Sequence, residues 1–373
     1  MSSIICLVRA ADPTVAYARV NKSLLQRHKS GIAATDSKVS CVIAKLGELK
    51  LGVPDDVYAK LNRETTVIIH AAWAVNFSMR LRSFVKDHIA GLRNLINLAL
   101  QSTRKTPPRF IFCSSVASVL GPATQSPIQE IVSTDPNTAS PLGYSRSKWV
   151  AEAICEQANL HLGLAGRISI LRIGQLCGDT QSGVWNVTEA WPLMLSTVKI
   201  TGSLPGLEHE NLAWLPVDIA AQAVLQIAFS SKTDASEEKT PVYHLINEDR
   251  TVTWMDLLAW IKALNPNPFN VISAREWVEQ LENVKGNAAK HPARKLLGLW
   301  KNAYCAGDND EGTGSEKKAE TVFAMENTKK VAPVMRDVKP ISEEHFAKIW
   351  QWMEREMLDG KMKSEDVEKA AIE

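Results

Sequence analysis

Tyr144 and Lys148 stand four residues apart in the run Gly143-Tyr-Ser-Arg-Ser-Lys148, and Ser114-Ser115 closes an apolar run upstream of them. A phenol, an ammonium and a hydroxyl can together deliver a proton to a carbonyl oxygen while a hydride reaches the carbon. Residues four apart on a helix share a face, so the spacing lets Lys148 hold its charge beside the Tyr144 phenol. A nearby cation favours phenolate, and the expected effect is a tyrosine pKa drawn down towards neutral. The serine hydroxyl would orient the substrate oxygen. A Tyr-x-x-x-Lys pair alone is a weak signal, because a solvated helix face carrying both residues reads the same way. Its placement adds weight: strand, Ser-Ser, loop, Tyr-x-x-x-Lys helix, then another strand.

Those groups need a scaffold, and the chain alternates strands with helices. Ile4–Val8, Val39–Ala44, Thr66–His70, Arg109–Cys113 and Arg167–Ile173 read as strands. Helices are expected from about Thr14 to His28, Met79 to Gln101 and Tyr144 to Leu162. Continuous apolar strands between helices predict an α/β fold with a doubly wound parallel sheet, which binds ligands beyond the carboxyl ends of its strands. This Rossmann-like part is expected over 1–180. A smaller, mostly helical substrate-binding part with interleaved sheet strands is expected over 181–358. In it, Val217–Phe229, Trp254–Ala263, Ala274–Leu281 and His345–Glu356 read as helices and Val242–Ile246 as a strand. Trp185, Trp191 and Trp214 read as core and pocket wall. The polar, glycine-rich stretch 302–318 is expected to be a flexible loop, and 359–373 a charged tail.

Composition narrows the class. The 373 residues carry a net charge of +2, so nothing points to nucleic acid. Six cysteines (Cys6, Cys41, Cys113, Cys155, Cys177, Cys305) are scattered singly, without ligand spacing, and read as reduced thiols rather than a metal site. No apolar run reaches the ~20 residues of a membrane span, and the N-terminus lacks the features of a secretory signal. A cytoplasmic location is the expectation.

Several segments in order carry a family resemblance: Ile5-Cys-Leu-Val-Arg-Ala10, Ile68-Ile-His-Ala-Ala-Trp73 and Phe110-Ile-Phe-Cys-Ser-Ser115. Gly143 to Lys148, Leu171-Arg-Ile-Gly-Gln175, Gly183-Val-Trp-Asn186 and Trp214-Leu-Pro-Val-Asp218 follow. The chain resembles the terminal thioester reductase domains of fungal nonribosomal peptide synthetase-like, adenylate-forming reductases. These are extended short-chain dehydrogenase/reductases. The resemblance implies that Tyr144 donates a proton, Lys148 tunes it and binds the nicotinamide ribose, and Ser115 (or, less readily, Ser114) meets the substrate carbonyl. His70, Ala71 and Ala72 would let the backbone approach the cofactor, although plain core packing also explains them. Gly174 and Gln175 would lie against the nicotinamide. Arg9, at the end of the strand that reads the adenosine ribose, would pair with a 2′-phosphate and so favour NADPH. Arg19 would assist; a strand-end cap and a solvated helix face are the simpler readings of the two arginines. The implied reaction is NADPH-dependent reduction of an acyl thioester, held on the phosphopantetheine arm of a carrier protein, to an aldehyde or alcohol. A monomer is expected.

Three departures from the family pattern stand out. The usual first strand and its Gly-x-x-Gly-x-x-Gly turn are absent, and Gly31, Gly47 and Gly52 are isolated. A truncated reading of a longer gene is the favoured expectation. Lys45 stands where relatives carry an aspartate near the adenine, and His88 replaces an asparagine. Rival expectations are an extended reductase or epimerase acting on a free small molecule, and an inactive remnant.

Overall fold

The computed structural model describes residues 3–27, 29–32, 38–230, 239–265, 267–286, 290–305 and 321–358. The first elements are β1 (Ile4–Val8), α1 (Pro13–Gln26), β2 (Val39–Ile43), α2 (Asp55–Glu64), β3 (Val67–His70) and α3 (Ala90–Leu100). Then come β4 (Arg109–Ser115), α4 (Gly143–His161), β5 (Ile168–Ile173), β6 (Leu176–Cys177), α5 (Ala190–Ser196), α6 (Val198–Thr201), β7 (Ser203–Gly206) and β8 (Leu215–Pro216). The remainder is α7 (Val217–Phe229), β9 (Val242–Leu245), α8 (Trp254–Leu264), β10 (Asn270–Ser273), α9 (Ala274–Asn283), α10 (Leu297–Tyr304), α11 (Glu326–Val331) and α12 (Glu343–Met353).

Local chemistry accounts for the boundaries. The Asp12 carboxylate accepts the Val15 N–H at 2.9 Å with Pro13 in the first turn, a strong start for α1. Reciprocal capping boxes open α8 (Thr253 with Asp256) and α9 (Ser273 with Glu276). The expected long helix over Met79–Gln101 is interrupted. A 3₁₀ turn at Leu81–Phe84 and a π turn at Val85–Ile89 precede α3. That irregular stretch brings both Phe84 and His88 against the Trp73 ring, with centroids 6.5 and 5.2 Å away.

The chain divides into two compact units. The first takes Met1–Gly174, Gln222–Leu245 and Thr321–Arg336, and the second Gln175–Ala221, Ile246–Glu320 and Asp337–Glu373. The expectation was a Rossmann-like part over 1–180 and a substrate-binding part over 181–358 that contributes interleaved sheet strands. Residues 306–320 and 359–373, which hold most of the expected loop and the tail, lie outside the described residues.

In the first unit every strand pairing is parallel. The expected sheet forms two hydrogen-bonded pieces, β1–β2 and the four-stranded β3-β4-β5-β9. Leu92, Leu95 and Ile96 of α3 and Ala151, Cys155 and Ala158 of α4 pack with Phe110, Phe112 and Ile170 of the larger sheet. Ile5, Leu7 and Val42 of the smaller sheet pack against that same core. Three Cα pairs, Ser114 with Arg172, Ser115 with Ile173 and Cys113 with Leu171, fix the carboxyl end of β4 beside β5.

In the second unit the small parallel pairs β6–β8 and β7–β10 accompany a tryptophan-rich core. Ring centroids lie 5.0 Å apart for Trp185 and Trp214, 5.3 Å for Trp191 and Trp214, and 4.8 Å for Trp277 and Trp300. These distances are those of offset or edge-on aromatic packing. None of the described helices is long and apolar enough to cross a membrane.

Candidate active site

Helix α4 begins where the chain passes very close to the 79–81 segment. A Cβ on Gly143 would stand 2.6 Å from Leu81 N and overlap the Met79 carbonyl, so only glycine fits in front of Tyr144. The Tyr144 ring is buried with Phe77 edge-on at 5.3 Å and Phe84 at 6.4 Å. Its hydroxyl lies near the Ser115 side chain, and Ser115 Oγ accepts the Ala117 N–H at 3.2 Å. Burial raises the Tyr144 pKa, and the Ser115 side chain, which draws it down, only partly offsets this. This corrects the expectation of a phenol acidified by its lysine: the desolvation is the larger effect.

Lys148 explains why. Its side chain is 3 % exposed, and Nζ donates to the Cys113 carbonyl at 2.7 Å. The ammonium sits over the rings of Trp73 (4.5 Å), Phe112 (4.9 Å) and Tyr144 (5.9 Å). Burial pulls its pKa down to about 7, opposed by Cys113, Glu152 and Cys155. The structure therefore brings Ser115, Tyr144 and Lys148 together at the carboxyl end of β4, with the lysine itself titrating near neutrality.

The other expected residues divide by location. Ser114 is buried and its hydroxyl donates to Glu152 Oε1 at 2.5 Å, so it faces the interior and not the trio. The His70 ring is also buried, stacked on Phe112 at 6.0 Å, and its pKa falls to about 3 through burial, with Lys148 and His88 adding. His70 Nε2 is buried without a hydrogen-bond partner. Ala71 and Ala72 follow β3 and are exposed, leaving their backbone accessible. Arg19 Nη1 donates to the Arg9 carbonyl at 2.6 Å, so the two arginines meet at the end of β1. The Arg9 charge also helps depress the His88 pKa, after burial. Gly174 follows β5 and donates its N–H to the Leu245 carbonyl at 2.9 Å.

Gln175 opens the second unit. It is exposed, and its amide donates to the Leu176 carbonyl at 2.7 Å and to Glu189 Oε2 at 3.4 Å. Burial pushes Glu189 up to about 7 even though Trp185 Nε1 donates to it at 3.1 Å. Lys45 is exposed and pairs with Glu48 at 3.2 Å.

Sequence reasoning overlooked two contributors in the first unit. Trp73 supplies the ring nearest the Lys148 ammonium and donates Nε1 to Ser147 Oγ at 3.1 Å. Glu152, one helical turn beyond Lys148, reads as an ordinary polar helix position yet is buried against Ser114, Ser118 and Arg172. Its spacing from Lys148 was the available signal.

A dinucleotide suits part of this surface. Tyr144 and Ser115 have the donor chemistry that an adjacent carbonyl needs, whereas the Lys148 ammonium, buried against Trp73 and Phe112 and spent on the Cys113 carbonyl, is not open to the ribose contact expected of it. No glycine-rich turn accompanies them among the described residues. Gly47 is occupied in packing, where a Cβ would overlap the Lys86 carbonyl, and Gly52 closes a left-handed turn at φ 62°.

The sequence profile of the Male sterility protein family, an NAD-binding family, matches residues 1–224. The chain belongs to that family. Among its curated relatives, an adenylate-forming reductase of Serpula lacrymans is 32% identical over 88% of this chain and 31% of its own length. A carboxylic acid reductase of Neurospora crassa is 26% identical over 94% of this chain and 32% of its own length. The chain thus spans about a third of the curated relatives it matches. Two solved structures share the fold. The terminal R domain of the myxalamid PKS-NRPS biosynthetic pathway gives a TM-score of 0.76 at 22% identity, over 97% of this chain and 85% of that one. The reductase domain of a nonribosomal peptide synthetase from Mycobacterium tuberculosis gives 0.70 at 17%, over 94% and 85%. This Male sterility family member is an α/β protein that shares its fold with terminal reductase domains.

Proposed function

We propose that this chain reduces an acyl thioester, carried on the phosphopantetheine arm of a carrier protein, to an aldehyde with NADPH. The observation that carries the reading is the Ser115–Tyr144–Lys148 cluster at the carboxyl end of β4. It lies on a fold shared with terminal reductase domains, in a chain akin to adenylate-forming reductases. When bound, the reduced nicotinamide supplies the hydride. Ser115 and Tyr144 would hydrogen-bond the thioester oxygen, stabilising charge as it develops there. Tyr144, kept protonated by burial, would pass its proton to that oxygen as the carbonyl carbon accepts hydride. The Lys148 ammonium would stabilise the tyrosinate left behind. Breaking the C–S bond of the resulting hemithioacetal releases a thiol and the aldehyde.

Arg9 and Arg19, adjacent at the end of β1, support a preference for the 2′-phosphate of NADPH. Incubation with NADPH and an acyl-loaded carrier, following nicotinamide absorbance and trapping aldehyde as a hydrazone, tests the reading. Saturable NADPH binding with no consumption on any loaded carrier, and consumption on a free carbonyl compound instead, would overturn it.

A further inference from the structure

The hydroxyl that turns away from the trio leads to a second buried cluster. Ser114 Oγ donates to Glu152 Oε1 at 2.5 Å, and Ser118 Oγ donates to the same oxygen at 2.6 Å. Arg172 holds the carboxylate from the other side, with Nη2 at 2.8 Å and Nε at 3.1 Å from Oε2. Both charged side chains are 1 % exposed. Arg172 spends its remaining donors on the Ile131 carbonyl at 2.9 Å and the Gln129 carbonyl at 3.3 Å, and approaches His244 Nε2 at 3.4 Å.

The placement of these groups is what matters. Glu152 lies on α4 one turn beyond Lys148. Ser114 immediately precedes Ser115 on β4, and Ser118 lies in the turn that follows. Arg172 is the register partner of Ser114 on β5. A single carboxylate thus joins the helix that carries Tyr144 and Lys148 to the strand end that carries Ser115.

We propose that Glu152 is a positioning residue: through Ser114, Ser118 and Arg172 it sets the Ser115 hydroxyl against the Tyr144 phenol. Rate depends steeply on such geometry, since a misplacement of about 1 Å costs roughly 100-fold. Its charge also reaches Lys148, which is faced by Cys113 from β4, by Glu152 and Cys155 from α4, by His70 from β3 and by His88 from the π turn. Of these, Cys113, then the Glu152 carboxylate and Cys155, favour the protonated lysine. A role confined to stability would lower the melting temperature and leave the kcat of the folded variant unchanged.

The inference rests on the reductase reading for its kinetic arm and not for its spectroscopic one. Glu152→Gln is expected to lower kcat about 10- to 100-fold and to change the NADPH KM far less. The Lys148 titration, followed by NMR of 15Nζ-labelled lysine, is expected to move to lower pH in Glu152→Gln. If that variant does not fold, Ser114→Ala/Ser118→Ala replaces it, with the same fall in kcat and the carboxylate retained. Folded variants with wild-type kcat overturn the proposal. Absence of turnover in the wild type would instead sink the reductase reading, while the Tyr144 phenol titration in Ser114→Ala/Ser118→Ala, expected to move up as Ser115 is displaced and unmoved if the proposal is wrong, would still decide this one.

Discussion

Lys148 Nζ donates to the carbonyl of Cys113 at 2.7 Å, so the helix bearing Tyr144 is pinned to the strand bearing Ser115. The same nitrogen is enclosed by the faces of Trp73 and Phe112, and this enclosure moves its titration into the neutral range. The consequences are measurable.

Removing the phenol should remove the proton donor and little else. Tyr144→Phe keeps the ring between Phe77 and Phe84, so fold and NADPH affinity should be retained. A fall in kcat of about 10²- to 10⁴-fold is expected. Tryptophan-quench titration and turnover, measured on one preparation, check this; wild-type-like turnover would remove Tyr144 from the mechanism.

The lysine gives a pH dependence with a definite sign. Lowered to about 7, Lys148 is charged below that pH and neutral above it. If its ammonium supports proton donation by Tyr144, kcat/KM should fall as pH rises through about 7, by at most about tenfold per unit. Lys148→Met should be slow and lack this limb. A limb retained in that variant would assign it to another group.

Arg9→Ala should erode discrimination rather than turnover. Loss of a charge-assisted contact to a 2′-phosphate is expected to reduce the NADPH-to-NADH ratio of kcat/KM by roughly 10- to 100-fold. An unchanged ratio would return Arg9 to the role of a strand-end residue held by Arg19.

Acid should destabilise the first unit through its buried imidazoles. Burial lowers His70 to about 3 and His244 to about 4, both below the ordinary 6.5. Between those values the unfolded chain binds more protons than the folded one, so stability falls as pH drops below about 6.5. By about pH 5 each histidine should have cost about 2 kcal/mol. Urea melts of wild type and His70→Phe at about pH 7.5 and about pH 5 test this. The variant should lose distinctly less, and an equal loss would rule out His70 as a source.

The trio was legible because its signals are local: four-residue spacing on a helix and a serine at the end of an apolar run. Strand β1 and the helical stretches α1, α4 and α7 were visible for the same reason. The environment of Lys148 was not, because Trp73 and Phe112 arrive from different elements and nothing along α4 announces them. Burial therefore reversed the expected direction of the Tyr144 shift. The strands β7 and β8 escaped notice because each is short and contains a proline, Pro205 or Pro216, which argues against a strand interior. Arg172 looked like one polar residue in an apolar strand until the fold set Glu152 opposite it.

The division of the first unit's strands into two pieces also bears on how the protein behaves in a tube. Among the described residues, β1 is laddered only to β2, and β3 only to β4. On the faces of these strands Ile4 is 36 % and Ile69 42 % exposed. Bare edges of this kind recruit strands from other molecules. Purified protein should therefore cluster as its concentration rises, and a charge placed on the edge, as in Ile69→Lys, should keep it dispersed in light scattering. Since β2 and β9 are outer strands as well, yield and shelf life would turn on all four such strands more than on the polar chemistry of the trio.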